Sequence, residues 1–361
     1  MSTTFASLRP EKGQERSTRA NPLKVKSQIE QAKNFPLFFA LGVGAYLILV
    51  FCGFLGLRQL LPDRIAFNIL GHSVVRDGLH SHLYFKFLVL SLIVPGMLLI
   101  ELGIVGWANS SLRRLVVGRT RSGTTDLTYF IIDQTPLMSG LTFVASLGAV
   151  LVSASVLHGL IRRLTGLDLS LAWAPAVGQL PVYFLAYSFF DYWSHRLDHS
   201  RWFWPLHRFH HAMDDFCIIS SVRVHPAAFT RIVQQAAPAA LVGASPEIVV
   251  ELSFILIIFR YMLHSRIDSN FGWIGRYLVQ SPTHHRLHHS LEAGPSAGHF
   301  SLLPVWDHLF GTWRGEATQS LPIGVDTPYR HGAWLVPDLW RDYREFWAGL
   351  VPTRRKQSAS S

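Results

Sequence analysis

The sequence predicts an all-α protein that crosses a membrane several times. Hydrophobic residues make up 49% of the 361-residue chain and charged residues only 16%; a soluble domain carries about 25% charged residues. The apolar residues gather into runs close to the roughly 20 residues that a spanning helix needs. The mean hydropathy is positive.

The elements follow in order. Residues 1–35 are polar, basic and rich in Ser and Thr, and read as a disordered cytosolic tail. Residues 36–57 carry no charge, and residues 84–107 hold Lys86 near one end and Glu101 near the other. Residues 137–161 are apolar apart from His158, and residues 170–190 are interrupted by Pro175 and Pro181. These are the four expected spans. Residues 227–263 are weaker and read either as a re-entrant hairpin or as two tilted helices. Lys and Arg mark cytosolic loops. Lys24, Lys26 and Lys33, with Arg113, Arg114, Arg119 and Arg121, place both segments in the cytosol, and four spans then place His195 onward there too. Arg162 and Arg163 fall on the opposite side and oppose this orientation. The net charge of +10 sits at the ends and between apolar runs. That pattern suits anionic headgroups better than nucleic acid. Cys52 and Cys217 set no disulfide framework.

Eleven of the 18 histidines fall between residues 195 and 289. "HRLDH" (195–199) is followed by "HRFHH" (207–211) and then by "HRLHH" (285–289). On helices, His195 and His199 share one face, as do His207, His210 and His211, and His285, His288 and His289. If the three faces converge they offer eight nitrogen ligands. A tetrahedral site uses three or four, so two metal ions are implied. Neutral imidazole suits zinc, copper, iron and nickel alike. Asp191, one turn before His195, and Asp198, before His199, suit acceptors that orient the rings. A nitrogen-rich metal pair at a membrane surface points to oxygen activation.

With "RVHP", "LHS", "SPTHHRLHHS" and "WDHLFGTW" following in order, residues 115–315 resemble the fatty acid hydroxylase/sterol desaturase superfamily. The resemblance implies a membrane helical bundle under a cytosolic helical cap that holds two irons. It implies an O2-dependent oxidoreductase that hydroxylates or desaturates a lipid C–H bond. Electrons would come from an external donor, a ferredoxin or a cytochrome with its reductase. Carried over by position, the ligands are His195, His199, His207, His210, His211, His264, His285, His288 and His289, with Asp191, His225, His284 and Asp307 supporting them. Residues 36–114 are then N-terminal spans, residues 115–315 the catalytic domain, and residues 316–361 a C-terminal cytosolic tail. Two departures bear on the substrate. Arg260 stands where acyl hydroxylases carry a further His, and His299, in "GHF", stands where relatives carry an aromatic residue. The first favours a sterol-like or isoprenoid lipid over a fatty acyl chain. Two other classes stand beside this one: a membrane zinc-dependent hydrolase, for which no HExxH is present, and a non-catalytic metal-binding membrane protein.

Overall fold

The computed structural model describes residues 22–69, 72–76, 79–134, 148–171, 173–228, 230–244, 246–291, 298–315 and 321–351. The chain divides into Met1–Gly44 and Ala45–Ser361. In the first unit, residues 22–44 are helical and belong to α1 (Pro22–Leu60). Residues 22–35 are therefore helix, not disordered tail; residues 1–21 lie outside the described residues. Pro22 opens the helix with its fixed φ, and Lys, Gln and Glu behind it are good helix formers.

Two stretches are long and apolar enough to cross a membrane: Ala40–Leu60 in α1 and Ser91–Asn109 in α2 (Leu79–Asn109). They correspond to the first two expected spans. Between them an antiparallel hairpin, β1 (Ile65–Ile69) and β2 (His72–Arg76), pairs Ile65 with Arg76. It is the one sheet among the described residues, beside an isolated antiparallel bridge between Ser290 and Ile323. The β-branched and aromatic residues of "IAFNI" and "HSVVR" favour extended backbone.

The other expected spans take different forms. Residues 137–147 of the third lie outside the described residues, and its remainder belongs to α5 (Gly148–Thr165). The fourth becomes α6 (Ala176–Asp198), which begins only after Pro175. Its buried Gln179, Ser188 and Ser194 and its late Asp191 and Asp198 leave no long apolar window. Residues 227–263 form α8 (Thr230–Val242) and α9 (Pro246–Leu263). The 13 residues of α8 reach about 20 Å, short of a hydrocarbon core of about 30 Å. Ala154 of α5, Tyr183 and Tyr187 of α6, Ala239 and Ala240 of α8, and Leu252 of α9 share one apolar core. The alanines let α8 lie close against α5 and α6.

Short elements complete the second unit. α3 (Ser111–Val116) and α4 (Arg121–Gln134) follow α2. α7 (Trp204–His211) follows α6, and a 3₁₀ turn covers Ile218–Val222. α10 (Gly272–Tyr277), α11 (Pro282–His288), α12 (Val305–Leu309) and α13 (Val336–Leu350) come after α9. α13 lies in the expected C-terminal tail, yet it packs on α7. The buried Asp342 accepts from Arg208 Nε and Nη2 at 3.1 and 2.6 Å. Residues 316–320 and 352–361 of that tail lie outside the described residues. Glu101, near the end of the second expected span, is buried. Its carboxylate accepts from Ser111 N, Ser111 Oγ and Arg266 N at 2.7–2.8 Å, tying α2 to α3 and to the loop after His264.

Arg223 and Asp126 are both fully buried and pair at 3.1 Å. Asp126→Ala should destabilise the fold by about 3–5 kcal/mol, because it strands a buried guanidinium. Adding Arg223→Met should recover most of that loss. Thermal unfolding of the single and double variants decides the matter: equal melting temperatures would mean that the pair carries no such cost.

Candidate metal centre

The three sequence boxes form as the helical spacing requires. His195 lies in the last turn of α6 with His199 capping it; His207, His210 and His211 lie on α7; His285 and His288 lie on α11 with His289 capping it. His264 follows the end of α9. The nine histidines separate into two clusters. His195, His199, His207, His211 and His288 form one; His210, His264, His285 and His289 form the other. Within each, one ring nitrogen per residue lies within 4.8 Å of all the others. The boxes do not map onto the clusters one to one. α7 and α11 each feed both, because adjacent residues in a helix face about 100° apart. His211 and His289 join the clusters by stacking, with ring centroids 4.1 Å apart.

The hydrogen bonding sets which nitrogen faces inward. A carbonyl only accepts, so a ring nitrogen held against one carries the proton. His195 Nδ1 donates to Phe300 O at 2.7 Å, and His288 Nδ1 donates to Gly298 O at 2.6 Å. His210 Nδ1 donates to Arg223 O at 3.1 Å, and His264 Nδ1 donates to Arg260 O at 3.0 Å. Each of these rings therefore turns a bare Nε2 toward its cluster. For His195 and His288 that atom is buried with no hydrogen-bond partner among the described residues.

His285 Nε2 lies 3.3 Å from His264 Nε2 and 3.2 Å from His289 Nε2, and His207 Nε2 lies 3.1 Å from His211 Nε2. Two nitrogens bound to one metal at about 2.1 Å stand about 3.0–3.4 Å apart in octahedral or tetrahedral geometry. The donor set therefore fits a metal ion in each cluster. Burial, reinforced by neighbouring rings, holds His207, His210, His211, His285, His288 and His289 well below the usual imidazole range. Burial also lowers His195 to about 4 and His264 to about 3. Neutral imidazole is the form that binds metal.

The supporting residues act differently from the expectation. Asp191 touches no ring: it accepts from Gln234 Nε2 and, at 3.3 Å, from Leu302 N. Asp198 stands near His207 Nδ1, at 3.7 Å, rather than orienting His199, and accepts from Thr230 Oγ1 at 2.8 Å. Asp307 accepts from Phe300 N at 2.9 Å, Ser301 N at 3.2 Å and Thr312 Oγ1 at 2.7 Å. Asp191 and Asp307 thus pin one loop, residues 298–302, whose carbonyls aim His195 and His288. Burial pushes Asp191 up to about 7 and Asp307 up to about 6.

His225 belongs to neither cluster. Its Nε2 donates to Leu339 O at 2.9 Å and its Nδ1 accepts from Ala227 N at 3.1 Å, so it fastens α13. His284 points away from both clusters, buried rather than solvated, and stacks on His299 at 5.3 Å. His299 also lies outside the clusters, in the left-handed region at φ +53°. Sequence reasoning marked "GHF" for its side chains, whereas the working parts are the carbonyls of Gly298 and Phe300. The backbones of Arg223 and Arg260 were missed in the same way, since any residue type supplies a carbonyl.

The described fold and site define a helical protein with candidate membrane spans and a paired, all-histidine candidate metal centre. Residues 180–312 match the fatty acid hydroxylase family model. The chain is 25% identical over 174 residues to an alkylglycerol monooxygenase of Xenopus tropicalis, covering 46% of this chain and 37% of that protein. It is 24% identical over 167 residues to an alkylglycerol monooxygenase of Danio rerio, covering 43% of this chain and 36% of that protein. The chain thus spans little more than a third of the curated relatives it matches. No solved structure matches it.

Proposed function

We propose that this chain is a membrane-bound, O2-dependent monooxygenase that hydroxylates a C–H bond of a lipid. The observation that carries the reading is the pair of adjacent clusters built from nine imidazoles and no carboxylate, within a fatty acid hydroxylase segment. The nine histidines of the two clusters would be the ligands. Zinc is redox-inert, so a monooxygenase needs a redox-active metal there; the family resemblance favours iron, and two irons would supply O2 activation and the oxidising power. Hydroxylation is favoured over desaturation because two similar proteins are named monooxygenases.

The chain's own residues perform the rest. The carbonyls of Gly298, Arg223, Arg260 and Phe300 fix four ring orientations. The buried Phe216, 5.2 Å from the His289 ring and 5.4 Å from the His264 ring, closes the four-histidine cluster against water. Residues 115–315 form the catalytic domain behind N-terminal spans, with the clusters on the cytosolic side. Electrons come from a ferredoxin or a cytochrome with its reductase. The substrate is a lipid with a long chain or ring system that enters from the bilayer.

The test incubates the iron-loaded protein with reductant, a cellular lipid extract and isotopically heavy O2. One heavy oxygen atom should appear in a hydroxylated lipid. Turnover under strict anaerobiosis, or product oxygen drawn from water, would replace this reading with hydrolysis or hydration.

A further inference from the structure

α13 has two unlike faces. Asp342 and Phe346 are buried on the side that packs on α7, where Asp342 accepts from Arg208. Val336, Trp340, Tyr343, Trp347 and Leu350 recur at steps of four, three, four and three residues, the spacing of a single helix face. This second face is turned outward: Val336 is 54% exposed, Trp340 57%, Trp347 47% and Leu350 44%. Its rings form a strip. Tyr343 stacks on Trp340 with centroids 5.6 Å apart and meets Trp347 edge-on at 6.1 Å. Single apolar residues scattered over a surface need no explanation, whereas a contiguous apolar patch marks an interaction surface.

The charges of α13 are sorted in the same way. Its carboxylates are engaged on the protein side. Asp338 accepts from Arg330 N and His331 N at 3.1–3.3 Å, and Arg208 pairs with both Asp342 and Glu345. Arg344, one residue from the strip, is exposed. Past the helix the sequence continues with Arg354, Arg355 and Lys356. The turn before α7 lies against α13, with the Phe203 and Phe346 rings 5.5 Å apart. On that turn the exposed Trp202 carries the Arg201 guanidinium 4.6 Å over its ring. Tryptophan joins an apolar body to a polar N–H and collects where headgroups meet acyl chains. Arginine and lysine beside it are attracted to anionic headgroups. A helix with an aromatic face and flanking cations lies in that boundary. The candidate span Ser91–Asn109 belongs to the same compact unit as α13, so the chain itself brings a bilayer to this unit.

We infer that α13 lies flat on the membrane, with Trp340 and Trp347 seated among the headgroups of an anionic bilayer. The inference rests on the reading that the chain is membrane-bound, and it makes this part of the C-terminal segment a surface anchor. Through Asp342 and Arg208 the helix grips α7, which carries His207, His210 and His211. Its seating therefore sets how those rings stand to the bilayer.

Nitroxide labels on the full chain test it without turnover, in vesicles of phosphatidylcholine and phosphatidylglycerol in equal parts. Relaxation by O2, which concentrates in lipid, is compared with relaxation by a water-soluble nickel chelate. A label on the native Cys52, exposed in the Ala40–Leu60 stretch, reads the span; Cys217 is buried and does not take the label. In a Cys52→Ser background, labels at Val336→Cys and Leu350→Cys read the strip, and one at Ala348→Cys reads the exposed flank. O2 should reach the two strip labels several-fold better than the chelate does, and the Ala348 label should show the reverse. Adding Trp340→Ser and Trp347→Ser, both at exposed positions, should abolish the O2 preference of the strip. Strip labels reached by the chelate lie in water, and strip labels reached by neither agent lie under a second copy or another protein; either result overturns the inference. So does an unchanged O2 preference in the double Ser variant, or the same preference at Ala348. The Cys52 label separates the two readings. Lipid at Cys52 with water at the strip leaves the membrane reading standing and sinks the anchor. Water at Cys52 with lipid at the strip sinks the span and keeps the anchor.

Discussion

A chain carrying both His264→Ala and His285→Ala should load about one iron per chain where the parent loads about two, and its turnover should vanish. Both residues belong to the four-histidine cluster, which would keep only His210 and His289. Two neutral imidazoles are too few to hold a divalent ion against water, since structural and catalytic sites use three or four protein ligands. The five-histidine cluster loses no donor. His289 remains to stack on His211, so the wall between the clusters is preserved. The spans and the apolar core contain neither residue, and membrane insertion should be unchanged. His308→Ala is the control: His308 is exposed, belongs to neither cluster, and should leave metal content at the parental level. Elemental analysis after anaerobic loading with Fe(II) reads the result. Loss of both ions together, or retention of both, would mean that the centre is not built from two separable clusters.

That partition was only partly legible in the sequence. The spacing of the boxes announced helices with shared histidine faces, and α6, α7 and α11 deliver them. Ligand arithmetic announced two ions. What spacing cannot show is that neighbours such as His210 and His211 join different clusters, because that depends on how α7 is rotated against α9 and α11. Long apolar runs marked the first two candidate spans, since length and composition are what a helix needs to tolerate lipid. The fourth expected span is not among the two candidate spans of the described residues: its helix begins only after Pro175 and then carries polar Gln179 and Ser188. The β1–β2 hairpin was missed because two five-residue strands are too brief for alternation to stand out. Glu101 was legible as unusual but not as a tie, since its partners Ser111 N and Arg266 N are backbone atoms distant in sequence.

The backbone tie that matters most for the chemistry is the loop at residues 298–302, and its failure should be selective. Gly298 holds φ +70°, where a side chain is strained. A Cβ there would meet Thr312 O at 2.3 Å and Arg314 Cγ at 2.6 Å, and the backbone oxygen cannot swing aside as a side chain could. Gly298→Ala must therefore shift the loop, and with it the carbonyl that His288 Nδ1 uses at 2.6 Å. Asp307→Asn attacks the same loop from the other side. The carboxylate receives three donors, from Phe300, Ser301 and Thr312, whereas an amide turns a donor toward at least one of them. Both changes should loosen His195 and His288, the two rings of the five-histidine cluster that this loop orients. Replacing an outer partner of a metal-binding histidine lowers metal affinity by about 10- to 100-fold. That cluster should lose its ion at chelator concentrations that leave the other loaded, because His210 and His264 are aimed by Arg223 and Arg260 instead. Both variants should then pass through a state holding about one ion per chain, the mirror image of the His264/His285 variant. Chelator titration followed by elemental analysis gives the order of release. Parental affinity in both variants, or loss of the two ions in parallel, would mean that the loop does not aim these rings.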